Sequence, residues 1–140
     1  MGFRLFREAQ ANQRDNDIEA AYRSGTRYVS SNPADTSSLE VRALMLIASL
    51  GYTFDMAWQP RLSLEYYYAS GDDDPNDNNF DQYERLFGGR RSDLNNTSTH
   101  GPLTPANLSA PGLRLRVKPN DRIDGWFQYH RAALASATDR

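Results

Sequence analysis

The sequence predicts an all-β chain, an antiparallel up-and-down segment of a transmembrane β-barrel with about six strands and one long extracellular loop at 71–111. Three observations predict it. Apolar and polar residues alternate at period two along most of the chain, so each strand has two unlike faces. The apolar face ends in tyrosines, which favour the headgroup level of a bilayer, where ring and hydroxyl meet different solvents. The connections alternate strictly between short and long, as they do when all tight turns lie on one side of a barrel and all large loops on the other.

The first strand, near Phe3 to Gln10, is weakly patterned and leads into the polar turn ANQRDN. From Asp17 to Val29, Ile18, Ala20, Tyr22, Thr26 and Tyr28 alternate with Glu19, Ala21, Arg23, Gly25 and Arg27. The loop SSNPADTSS carries Asn-Pro and small polar residues, which break a strand. Leu39 to Phe54 then places Leu44, Leu46, Ala48, Leu50, Tyr52 and Phe54 on one face. Its first half, where Met45 and Ile47 oppose leucines, is apolar on both sides, and pattern alone does not assign its faces.

The turn DMAWQP leads into the most informative stretch, Arg61 to Asp81. Here Leu62, Leu64, Tyr66 and Tyr68 oppose Arg61, Ser63, Glu65 and Tyr67 before the chain enters GDDDPNDNN. Trp58 at the turn and Tyr66 and Tyr68 at the far end would supply two aromatic girdles. After the long loop, Leu113, Leu115 and Val117 alternate with Arg114, Arg116 and Lys118. Following Pro119-Asn120-Asp121, Ile123, Gly125, Phe127 and Tyr129 alternate with Asp124, Trp126, Gln128 and His130.

Composition bounds the possibilities further. A mean hydropathy of −0.76 argues against a helical membrane protein. The most apolar run, 43–54, is too short to span as a helix but suffices for a tilted strand of about 9–11 residues. With no cysteine there is neither a disulfide framework nor a thiolate metal site, which suits passage through an oxidising periplasm. MGFRLFREAQ has no apolar segment of the secretory kind, and an aqueous channel takes roughly 16–18 strands. The expectation is therefore that 1–140 is part of a larger barrel.

Charge is unevenly placed. The loop 71–111 holds seven acids (Asp72, Asp73, Asp74, Asp77, Asp81, Glu84, Asp93) against three arginines (Arg85, Arg90, Arg91). The face opposite the leucines carries Arg23, Arg27, Arg61, Arg114, Arg116 and Lys118 against Glu19, Glu65 and Asp124. A lumen with a positive excess lowers the entry barrier for an anion, and several weak sites let it move on. The plainer reading is that these charges pair across strands and brace the wall. Lys118 is the sole lysine among 16 basic residues, and the planar guanidinium matches carboxylates, although a GC-rich genome gives the same bias.

GDDDPNDNN offers oxygens that suit calcium, but it lacks a glutamate at the twelfth position, and a solvated acidic tip is the favoured reading. Neither His100 nor His130 has a partner at metal-ligand or triad spacing, so no metal site, cofactor or catalytic residue is expected. The sequons at Asn95, Asn96 and Asn107 occur readily in polar loops.

The segments GYTF (51–54), YYYASGDDDPND (66–77), FDQYERLFGGRR (80–91), NLSAPGLRLRVKP (107–119) and the closing DGWFQYHRAALASATD together resemble the alginate export family of Gram-negative outer-membrane porins. The resemblance covers residues 40–140. It implies passive export of an anionic polysaccharide, an alginate-like polyuronate, through an arginine-lined pore in the outer membrane. In such a pore Arg61, Glu65, Arg114 and Arg116 match charged strand positions of the family, whereas Arg23, Arg27 and Lys118 rest on alternation. The loop residues Asp72, Asp73, Asp74, Asp77, Arg90 and Arg91 would gate the mouth. Expected partners are the polysaccharide, outer-membrane lipid and the rest of the barrel chain, with no nucleic acid. The competing expectation is a soluble or surface-exposed all-β binding module with a calcium-stabilised acidic loop.

Overall fold

The computed structural model describes residues 1–32, 34, 36–74, 76–84 and 106–138. It contains strands β1 (Gly2–Arg7), β2 (Gln13–Tyr28), β3 (Ser38–Thr53), β4 (Arg61–Ala69), β5 (Asn79–Phe80), β6 (Leu108–Asn120) and β7 (Ile123–His130). They form one sheet in the order β1-β2-β3-β4-β6-β7, every neighbouring pair antiparallel, with β5 added in parallel beside β3. The sheet is an open up-and-down meander without helices among the described residues.

Register assigns the two faces. Pairing of Ile18 with Ala48, Ala48 with Tyr66 and Tyr66 with Pro111 puts even positions of β2 to β4 and odd positions of β6 on one side. That side is apolar and uncovered: Leu50, Leu62, Leu64, Leu113, Leu115, Phe127 and Tyr129 are all exposed, Leu64 at 65%. No packed core would leave such a row of leucines open, because each forfeits its transfer free energy in water. Hydrocarbon is the solvent that suits it. The band has polar limits at both ends. Arg14 and Asn16 face outward near the tight turns, and Glu40 and Arg42, in an ion pair of 2.6 Å, face outward at the opposite end of β3.

The opposite face is concave. A cavity of about 230 Å³ is lined jointly by Phe6 of β1 and Arg116 of β6, so the sheet curls over this side. Towards the long connection the concave face is apolar, with Ile47, Tyr67, Ala69, Leu108 and Ala110 packed together and Leu39, Val41 and Phe80 forming a second cluster. Here β5 turns inward and lays Phe80 against β3. Both faces of β3 are apolar in this half because one meets the outer solvent and the other is covered by the returning chain, which resolves the ambiguity of the sequence pattern.

Three boundaries differ from expectation. β2 begins at Gln13 rather than Asp17, because its polar start still pairs with Thr53 to Leu50 of β3. β6 begins at Leu108 rather than Gly112, although 108–111 read as the end of the loop; Pro111 lies opposite Tyr66, and its carbonyl accepts from the Arg131 amide at 3.0 Å. The connection after β4 is therefore shorter than 71–111 and contains β5, which two residues are too few to reveal by alternation.

Candidate functional site

The concave face gathers the charged side chains. Arg23 and Arg27 come from β2, Arg61 and Glu65 from β4, Arg114 and Arg116 from β6, and alternation adds Lys118 at the end of β6. These seven, with Glu19 of β2 and Asp124 of β7, are the charged residues expected opposite the leucines, and they share one side. So do three residues outside that set: Asp15, which precedes the expected start of β2, and Arg4 and Asp17, which lie within the expected first two strands. Among the described strands, seven cations (Arg4, Arg23, Arg27, Arg61, Arg114, Arg116, Lys118) face five anions (Asp15, Asp17, Glu19, Glu65, Asp124). The positive excess is smaller than six against three, because Arg4 adds one cation while Asp15, reached by the earlier start of β2, and Asp17 add two carboxylates.

Every one of these cations holds a carboxylate. Arg61 reaches across β3 to Asp15, with Nε 2.9 Å from Oδ2 and Nη2 on Oδ1, and also donates to Ser63 Oγ at 3.2 Å. Gly51 makes the crossing possible, since a Cβ there would stand 2.5 Å from the Arg61 guanidinium. Arg116 binds Asp124 of β7 through Nε and Nη2. Arg4 chelates Asp17 at 2.8 and 2.9 Å, and Lys118 lies 3.1 Å from Asp121 in the following turn.

At the middle of the face Glu65, with its side chain 3% exposed, has Arg114 Nε 3.1 Å from one oxygen and His130 Nε2 3.1 Å from the other. The angles of these close contacts are not those of hydrogen bonds, leaving Glu65 Oε2, Arg114 Nε and His130 Nε2 buried without an aligned partner. His130 stands opposite Gly112, where a Cβ would be 2.1 Å from Nδ1, and its ring meets Tyr67 edge-on at 5.4 Å. His130 thus has a carboxylate partner 65 positions away in sequence, which no local spacing signals.

At the long connection Glu84 pairs with Arg27 at 3.1 Å and with Arg23 at 3.5 Å, while the Arg27 guanidinium sits 4.1 Å above the Phe80 ring. Glu84 was counted with the loop acids, and only the inward course of 79–84 brings it to the β2 arginines. Of the residues expected to gate, Asp72 is 1% exposed; its carbonyl and that of Asp73 accept from Ser136 Oγ and Thr138 Oγ1. Asp74 and Asp77 carboxylates cap their own turn, accepting from the Asn76 amide at 3.1 Å and the Asn79 amide at 2.7 Å. Arg90 and Arg91 lie outside the described residues, as do Arg85, Asp93 and His100. Burial, then Asp72 and Asp77, push the Asp81 carboxyl above its ordinary range against the pull of Arg42.

Among the described residues no group of three or more His, Asp or Glu is gathered to hold a metal ion. The family model described as alginate export matches residues 1–140, the whole chain. The chain belongs to the alginate export family. Comparison with curated proteins and with solved structures gives no match. Alginate export is a transport-channel family of the outer membrane, so this all-β alginate export chain has a role in moving polysaccharide through an outer-membrane β-barrel.

Proposed function

We propose that this chain is a wall segment of a pore through which an anionic polysaccharide, an alginate-like polyuronate, leaves passively. The observation that carries the reading is the separation of faces: leucines and tyrosines outward, and Arg23, Arg27, Arg61, Arg114, Arg116 and Lys118 with Glu65 on the concave side. Because the guanidiniums already hold carboxylates of the wall, each offers the polymer an exchange of one carboxylate for another. Such exchange binds weakly at many points, which is what conduction needs.

In this arrangement tight turns face the periplasm and the connection 71–111, bearing Asp72, Asp73, Asp74, Asp77, Arg90 and Arg91, faces outward and controls the mouth. Inward packing of Phe80 and Glu84 supports that role. The test reconstitutes the full-length barrel in planar bilayers and replaces Arg114 and Arg116 by glutamate. Anion preference should fall or invert; an unchanged preference removes the pore-lining role. Deleting 72–100 should raise conductance, and an unaltered conductance and polymer uptake would remove the gate.

A further inference from the structure

We propose that the outward face of β2 to β4, at the end bearing the tight turns, is a glycerophospholipid site in which Arg14 holds the phosphate and an adjacent apolar groove holds an acyl chain. The inference rests on the orientation given under the proposed function, with the tight turns at the periplasmic leaflet.

Arg14 occupies an outward position of β2 opposite Tyr52, whose hydroxyl is tied to Asn12 Oδ1 at 2.6 Å. Its side chain is exposed and makes no hydrogen bond or ion pair among the described residues. That sets it apart from Arg4, Arg23, Arg27, Arg61, Arg114 and Arg116, each of which holds a carboxylate. A guanidinium left without an anion where the outer band turns polar is complementary to one supplied by the surroundings. Its planar fork fits two oxygens of a phosphodiester, and the field of an anionic leaflet favours it further.

The second half of the site is a shallow groove of about 680 Å³ beside Arg14, walled by Leu50, Leu62, Leu64, Tyr52 and Phe54. Arg14 borders the groove together with Asn16 and with Asp15, whose carboxylate is held by Arg61, so one molecule with a hydrocarbon tail and a phosphate satisfies both the apolar walls and the guanidinium. Trp58, exposed in the β3–β4 turn, stands at the same end, the level that amphipathic rings prefer. Lipid A also carries phosphate, but it resides in the opposite leaflet, beyond the Glu40–Arg42 end of the band.

The test uses the full-length barrel in detergent, titrated with palmitoyl-oleoyl phosphatidylglycerol and read by native mass spectrometry. Retention of one lipid by the parent protein should drop about five- to tenfold in R14Q, with R14K keeping part of it and R122Q, in the β6–β7 turn, keeping all. Equal retention in R14Q, or a preference for lipid A over phosphatidylglycerol, overturns the site. Channel recordings of the same variants separate this inference from the pore. A barrel that retains the lipid through Arg14 yet forms no channel sinks the pore and leaves the site standing, whereas an R14Q barrel conducting like its parent with undiminished lipid does the reverse.

Discussion

Arg61 and Arg116 face each other directly across β4 and β6, two like charges in register, and each is drawn away by a different carboxylate. Arg61 leans over β3 to Asp15, while Arg116 leans the other way to Asp124. Like charges directly opposite in a sheet repel, so the two acids are what allow the arginines to stand side by side.

Space for the first of these pairs depends on a missing side chain. G51V should push the Arg61 guanidinium off Asp15, which is 6% exposed, leaving a buried carboxylate without its partner. The cost is about 3–5 kcal/mol, measured as a lowered urea midpoint of the full-length barrel in vesicles. A midpoint equal to that of the parent would show that Arg61 reaches Asp15 by another route.

Glu65 gives a second test. R114A leaves its carboxylate beside His130 alone, and stability should fall by about 3–5 kcal/mol. Adding E65Q should recover a large part of that loss, since an amide is cheaper to bury than an unpaired charge. Losses that simply add across the two substitutions would mean that the 3.1 Å contact contributes nothing.

The outward leucines separate a bilayer-embedded wall from a soluble module. L64R should destabilise the barrel by about 2–4 kcal/mol in vesicles, because Leu64 lies within the apolar band. In a soluble module the same exposed position would tolerate arginine with a change within about 0.5 kcal/mol. The heat-modifiable electrophoretic shift of the variant distinguishes the outcomes.

Asp81 sets a pH dependence outside the spanning strands. Its folded-state pKa is raised by burial and by Asp72 and Asp77, so the folded connection binds a proton more tightly than the unfolded one. Stability from this group is therefore present at acid pH and is lost as pH rises from the unfolded value through the folded one. Amide protection factors across 70–84, taken relative to the intrinsic exchange rate at each pH, should be higher at pH 4 than at pH 7, and D81N should remove most of the difference. Protection that falls on acidification would contradict the raised value.

Faces were legible in the sequence because a period of two survives wherever two solvents differ, as at Leu113 to Lys118. Partners were not. Arg61 meets Asp15 across an intervening strand, His130 meets Glu65 from a distant one, and Glu84 approaches Arg23 and Arg27 only because two residues at 79–80 add a parallel rung to β3. Register and loop course decide such pairings, and neither is written in alternation. Gly51 and Gly112 carried the one available signal, a position without a side chain on the polar face, which gains meaning only when the neighbouring side chain is known.

Every neighbouring pair of long strands except β4 and β6 is joined by a connection of two to nine residues, so most of the meander can assemble as hairpins zipped in succession, every new edge templating the next. The seam between β4 and β6 is different: it closes only after Ala69 finds Leu108 across the longest connection. Loop closure there carries the largest entropic cost in the sheet, which makes that seam the step at which assembly of the wall would wait, and the place where slowing or trapping it would first be seen.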